Sequence, residues 1–187
     1  MITMTPRLSK AINKATWAHR NQKRKGSDLP YILHPYSVMC IAGEVTSDED
    51  ILIACLMHDV IEDVPEEYSA DQIRADFGDR VLDIVLGVTK NDSLPDWQDR
   101  ADAYLYHLEF EASDESVIVS CADKIHNLMS IFDDYEEIGD ELWNRFKAGK
   151  ERQQWWYRSV QEVIARRLPD LALNERFLSL ASRLESL

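Results

Sequence analysis

ILIACLMHDVIED, residues 51–63, opens with seven consecutive apolar residues and closes on two carboxylates that follow a His-Asp pair. A helix from Ile51 to Met57 has no polar face, so it has to lie at the centre of the molecule with neighbours all round. Ser47 and Asp50 stand where a capping pair would start it. His58 and Asp59 then fall at the end of a buried helix, where polar side chains without partners are costly. Glu62 and Asp63 follow four residues after His58 and Asp59, so one helical end gathers four metal-binding or proton-transferring groups.

Helical punctuation continues on both sides of this stretch. Thr5 and Pro6 open a segment that keeps Leu8, Ile12, Ala15 and His19 on one face and is expected to reach about Gln22. A polar loop, 23–33, leads to a short helix starting at Pro35 and carrying Val38, Ile41, Ala42 and Val45. Downstream, Ser69 with Gln72 forms a capping box, Gly78 is a stop, and Asp79 can cap the next segment. The run Val81 to Val88 fits either a strand or a helix, and its helical neighbours favour the helix. The polar segment Asn91 to Asp96 reads as a mobile loop. Trp97, Ala101, Tyr104, Leu105 and Leu108 share one stripe, and Val117, Cys121, Ile125, Leu128 and Phe132 another. An amphipathic segment from about Asp140 to Leu168 stops at Pro169, and a last helix carries Phe177, Leu180 and Leu184. No repeat or linker interrupts the series, so the expectation is an all-α fold of about eight to ten helices in one compact domain spanning 1–187.

Composition narrows the function. Asp and Glu number 34 against 21 Lys and Arg, a net charge of -13, which argues against duplex nucleic acid or an anionic membrane as partner. The longest apolar run is far below the ~20 residues of a membrane span, and the N-terminus lacks a charged-then-apolar signal pattern. Cys40, Cys55 and Cys121 sit beside apolar neighbours without Cys-x-x-Cys spacing, so core thiols in a reducing compartment, and a cytoplasmic location, are expected. Nothing in the sequence fixes the oligomeric state.

A mixed set of imidazole and carboxylate groups suits one hydrolytic divalent ion, imidazole favouring transition metals and carboxylate harder ones such as Mn²⁺. Further ligands have to come from elsewhere in the chain. The candidates are His34, beside Pro35, and Asp123, in a helix otherwise apolar on that face. A blander reading remains open, in which His58 bonds a carbonyl and the acidic run is a solvated helix end. Lys23-Arg24-Lys25 is the one three-residue basic run, and Arg24 and Lys25 fit a polyphosphate or base contact as well as a solvated loop. His19, His107 and His126 read as structural histidines. Among Trp155, Trp156 and Tyr157, aromatic residues suited to a helix core, Tyr157 is the candidate for stacking on a base.

The ordered set Gln22, Arg24-Lys25, Pro30-Tyr31-Ile32, His34-Pro35, His58-Asp59-Val60-Ile61-Glu62-Asp63, Phe77-Gly78, Val88-Thr89-Lys90 and Ala122-Asp123-Lys124-Ile125-His126-Asn127 resembles the hydrolase domain of RelA/SpoT-type enzymes and the small alarmone hydrolases. It covers most of residues 8–160. The resemblance implies an HD-type helical domain that uses Mn²⁺ to remove the 3′-pyrophosphate from (p)ppGpp, the alarmone of the stringent response. It implies His34, His58, Asp59 and Asp123 as metal ligands, Glu62 and Asp63 as the catalytic acidic pair, and Asn127, one turn after Asp123, beside the nucleotide. The family's usual basic residue three positions before the second metal aspartate is Ser120 here. Alternatives are an HD phosphohydrolase acting on (p)ppApp, NADPH or a nucleoside monophosphate, or, from another class, a non-catalytic metal-binding regulatory module. A purely structural site has no use for Glu62 and Asp63.

Overall fold

In a computed structural model describing residues 2–90 and 93–187, ten α-helices and one 3-10 helix account for the regular structure. No strand occurs among the described residues, and one isolated antiparallel bridge joins Lys23 to Pro30. The loop expected at 91–96 includes Asn91 and Asp92, which lie outside the described residues.

Helix α1 (Pro6–Ala18) starts as its sequence dictates, Thr5 accepting from the Leu8 amide and Pro6 filling a first-turn position that has no N–H to lose. It stops short of the expected Gln22 because His19 leaves helical geometry and the chain turns, the Gln22 amide donating to the His19 carbonyl at 3.0 Å. Helix α2 (Leu33–Ala42) begins two residues before Pro35, whose ring is tolerated because first-turn amides lack helical partners anyway. The capping residue of α3 (Glu49–Met57) is Asp48 rather than Ser47, and its carboxylate accepts from the Asp50 amide at 2.9 Å.

After Met57 the chain turns at His58 and Asp59 and resumes as a one-turn helix, α4 (Val60–Asp63). The four site groups therefore do not share one helical end: Glu62 and Asp63 stand on their own element. The capping box expected at Ser69 and Gln72 opens α5 (Ala70–Phe77). Gly78 ends α5 and caps α6 (Asp79–Leu86) at a φ of 90°, a conformation that disfavours any residue with a Cβ. Asp79 does not cap but pairs with Arg74 at 2.9 Å.

Helices α7 (Trp97–Phe110) and α8 (Asp114–Ile138) follow the two predicted stripes. The segment expected as one helix from Asp140 to Leu168 is divided into a 3-10 helix (Gly139–Arg145) and α9 (Lys150–Arg167). The break falls at Gly149, which takes a φ of 79° that a continuous helix cannot include. Helix α10 (Asn174–Glu185) closes the chain against α9.

Helix α3 is the hub the sequence required. Ile51 to Met57 are all buried, and α3 packs against α1, α2, α6 and α8. The 25-residue α8 runs past α2, α3, α6, α9 and α10 and ties the two halves of the chain together. Cys55 and Cys121 are core thiols as expected, but Cys40 is exposed because it lies on the outer side of α2. Among the described residues no helix is long and apolar enough to cross a membrane.

Candidate metal centre and active site

Three elements meet where the C-terminal end of α3, the first turn of α2 and the middle of α8 converge. His34 sits at the second position of α2, His58 and Asp59 follow the last residue of α3, and Asp123 projects from α8. Nε2 of His34 and Nε2 of His58 lie 3.2 Å apart. Oδ2 of Asp59 is 3.0 Å from the His58 nitrogen and 3.4 Å from that of His34. Oδ1 of Asp123 is 3.1 Å from His34 Nε2 and 3.7 Å from His58 Nε2. The imidazoles are almost fully buried, and one atom each from His34, His58 and Asp59 falls within a sphere suited to a metal ion.

Hydrogen bonding behind the imidazoles settles which nitrogen faces the cluster. His58 Nδ1 is 2.7 Å from the Cys55 carbonyl, which can only accept, so the proton of the neutral ring is on Nδ1 and Nε2 presents a lone pair. His34 Nδ1 lies 2.7 Å from His126 Nδ1, and one proton serves both. Tyr31 Oη donates to Asp59 Oδ2 at 2.6 Å, and Asn127 Nδ2 donates to Asp123 Oδ1 at 2.5 Å. Lys124, also buried, pairs with the other oxygen of Asp123. Two imidazole nitrogens and two oriented carboxylates aimed at one space form a donor set that fits a divalent transition ion.

The charges of these groups act on one another. Burial opposes a charged His58, but Asp59 and Asp123 outweigh it and raise its pKa well above the ordinary imidazole value. Burial likewise opposes charge on the carboxyls, yet His58 and His34 hold Asp59 well below its usual range, and Lys124 with the two imidazoles does the same for Asp123. A cluster that favours ionised carboxylates around a positive centre is one that a bound cation would satisfy.

Glu62 and Asp63 stand beside the cluster without entering it. Glu62 is mostly buried and its pKa is raised, chiefly by burial, against the pull of Lys90, whose backbone N–H donates to Glu62 Oε1 at 2.6 Å. Asp63 is exposed and accepts from Gln22 Nε2 at 2.7 Å. Gln22 in turn meets His19 Nδ1 at 2.6 Å, which places His19 one layer behind Asp63. His107, paired with Glu111, lies elsewhere. His126 was expected to be merely structural, but it directly contacts His34, and the helical position three residues past Asp123 was the available signal.

Two clefts adjoin the cluster and share Asn127 and Tyr157 as their common wall. The larger, about 880 Å³, contains Arg24, Lys25, Tyr31, Arg145 and Phe146. Arg24 Nη2 reaches Asn127 Oδ1 and Ser130 Oγ, both at 3.2 Å, and its guanidinium lies 5.6 Å from the Tyr31 ring. Lys25 donates to the Arg145 carbonyl and faces the Phe146 ring. The intervening Gly26 takes a φ of 79°, which strains any residue with a Cβ, and the Arg145 guanidinium packs against it. The structure thus brings all four predicted substrate-side residues, Arg24, Lys25, Asn127 and Tyr157, to one cleft. Trp156, expected in the core, is mostly buried yet also lines the smaller cleft, and Ser120 is taken up by Tyr104 Oη at 2.8 Å.

Comparison with known proteins identifies the family and the fold. A family model described as HD domain matches residues 11–151. The chain is 31% identical over 177 residues to a guanosine-3′,5′-bis(diphosphate) 3′-pyrophosphohydrolase of Danio rerio, covering 92% of this chain and 91% of that protein. It is 38% identical over 126 residues to a GTP pyrophosphokinase of Streptomyces coelicolor, covering 66% of this chain but only 14% of that protein. Among solved structures, a metazoan SpoT ortholog described as hydrolysing ppGpp superposes with a TM-score of 0.81 at 22% identity, over 98% of each chain, and shows the same fold.

Proposed function

The chain belongs to the HD-domain family of hydrolases, and we propose that it is a Mn²⁺-dependent enzyme that removes the 3′-pyrophosphate from guanosine alarmones such as (p)ppGpp. The observation that carries this reading is the convergence of His34, His58, Asp59 and Asp123 on one space, with the pair Glu62 and Asp63 alongside. His34, His58, Asp59 and Asp123 would hold the ion. When bound, the ion supplies Lewis-acid polarisation of a phosphoryl oxygen and acidifies a water molecule.

The chain's own residues do the rest. Glu62, whose pKa burial raises above the ordinary carboxylate value, takes or returns a proton at the attacking water. Asp63, held by Gln22, orients that water. The water oxygen bonds to the phosphorus beside the 3′ oxygen as the P–O3′ bond breaks, and a proton passes to the departing 3′ oxygen, leaving a nucleoside 3′-hydroxyl and pyrophosphate. Tyr31 and Asn127 fix the carboxylates of Asp59 and Asp123, so the donors need no rearrangement during the reaction. The larger cleft takes the nucleoside 5′-diphosphate end: Arg24 and Lys25 meet its charge, and Tyr157 and Phe146 offer faces to the base.

The test is a panel of ppGpp, ppApp, NADPH and GMP with Mn²⁺, scoring pyrophosphate against phosphate release before and after chelation. The expected result is pyrophosphate from ppGpp that chelation abolishes and added Mn²⁺ restores. Rapid turnover of another member of the panel, with ppGpp untouched, would overturn the substrate.

A further inference from the structure

The turn that follows α1 lines up two side chains behind the acidic pair. Gln22 Nε2 donates to Asp63 Oδ2 at 2.7 Å, and Gln22 Oε1 lies 2.6 Å from His19 Nδ1. An ionised carboxylate only accepts, so the amide has to turn its N–H toward Asp63 and its oxygen toward His19. That oxygen only accepts as well, so the His19 proton sits on Nδ1. Burial, opposed by the Gln22 bond and by Asp59 and Asp63, lowers the His19 pKa, and at neutral pH the ring carries that one proton.

The backbone holds this arrangement in place. The Gln22 N–H donates to the His19 carbonyl at 3.0 Å, and the Gln22 carbonyl accepts from the Tyr31 amide at 2.9 Å. His19 is 1% exposed, and its ring centroid lies 5.1 Å from that of Tyr31, whose hydroxyl donates to Asp59. Asp63, by contrast, is exposed on a helix of a single turn, where an unheld side chain has several staggered rotamers to choose from. Its orientation is therefore set by what lies behind it.

The other ring nitrogen shows which edge of His19 matters. Nε2 is buried and meets no hydrogen-bonding partner among the described residues. A buried acceptor left unpaired is destabilising, and a ring kept for packing alone would serve better as Phe. We infer that His19 is a positioning residue for the hydrolytic step, acting through Gln22 to hold the Asp63 carboxylate in the orientation that receives the attacking water. The inference rests on the reading of Asp63 given above. Among the described residues His19 makes no hydrogen bond to the four proposed ligands and lines neither cleft, so its influence passes through the Gln22 amide.

The Mn²⁺-loaded protein and its variants are compared in kcat and KM for ppGpp, in metal content and in urea midpoint. His19→Phe removes the donor and keeps a ring: kcat is expected to fall about tenfold or more, with KM within about twofold, metal content unchanged and the midpoint at or above that of wild type. His19→Asn returns an N–H near the Nδ1 position: most of kcat is expected back, at a lower midpoint because the smaller side chain leaves a cavity. A histidine with a merely structural role gives the opposite order, activity following stability. Gln22→Met breaks the same chain of hydrogen bonds at a half-buried position, is expected to match the His19→Phe rate, and decides the matter should His19→Phe fail to fold. His19→Phe added to Asp63→Asn is expected to lower kcat no further. Full kcat in His19→Phe or in Gln22→Met, or a further tenfold loss in the double variant, would overturn the role of His19 while leaving Asp63 in place. Undiminished turnover in Asp63→Asn would overturn the reading of Asp63 and the role of His19 with it. Should another nucleotide of the panel be the substrate, the same comparison is made with it, and only the substrate reading is lost.

Discussion

In the proposed site, His126 and Glu62 would carry the finest division of labour. His34 can offer a lone pair at Nε2 only if its proton sits on Nδ1, and the atom that receives that proton's hydrogen bond is His126 Nδ1 at 2.7 Å. Burial is the main reason the His126 pKa falls to about 4, so this ring is a neutral acceptor. We predict that His126→Phe lowers metal affinity by about tenfold, the low end for loss of a partner behind a metal-binding His, without unfolding the chain. Metal titration with a competing chelator checks it, and unchanged affinity would remove His126 from the site. In the proposed reaction Glu62 has a different task from the ligands, since its carboxylate meets the Lys90 amide rather than the imidazoles. Glu62→Gln is expected to abolish most turnover at nearly unchanged metal content, whereas Asp59→Asn loses both. Elemental analysis alongside the rate measurement separates them, and a loss of metal in Glu62→Gln equal to that in Asp59→Asn would make Glu62 a ligand.

At the scale of elements, α3 is anchored at one end by charge and at the other by the site. Arg80 pairs with Asp48, Asp50 and Glu115, and Arg7 with Glu49 and Asp50, so its N-terminus is gripped from α6, α8 and α1. Arg80, by its hydrogen bonds, holds the Asp48 carboxyl below its ordinary 3.8, and Thr5 with Arg7 does the same for Glu49. A carboxyl whose pKa is lower folded than unfolded stabilises the fold above its unfolded value, and that contribution is lost as pH falls through the folded value. Wild-type stability should therefore decline between about pH 5 and pH 3, and the gap between wild type and Arg80→Gln should narrow over the same interval. Because these groups are partly exposed, the gap at neutral pH is expected to be about 1 kcal/mol or less. Urea midpoints across that range measure it, and a constant gap would show that Arg80 acts through packing instead.

For the whole molecule, the metal centre is also a fastening. Its four groups come from α2, the end of α3 and α8, separated by up to 89 positions in the chain between His34 and Asp123, so a bound ion would join elements that the unfolded chain leaves far apart. An ion present at about a hundred times its Kd adds about 2.7 kcal/mol. For a domain of this size that corresponds to a rise in Tm of about 5–10 °C. Calorimetric scans of stripped and Mn²⁺-loaded protein are expected to show the rise, and His58→Ala to show none. Equal Tm values for stripped and loaded wild type would remove the ion from the centre.

The sequence by itself determined the helical class and the central place of α3, and it named the ionisable residues that the fold brings together. Seven apolar residues in a row leave a helix nowhere to be but inside, and ionisable groups at its end must be satisfied there. The capping box at Ser69 and the stop at Gly78 were legible for the same reason: both are decided by neighbours within a few residues. What runs on backbone geometry over longer spans was not. The turn at His58 and Asp59, which puts Glu62 and Asp63 on a separate helix, and the break at Gly149 both fall inside segments whose periodicity continues across them. The pairing of His126 with His34 and that of Gln22 with Asp63 join residues far apart in the chain. Such contacts depend on how helices cross, and crossing is fixed only when every apolar face has found its partner.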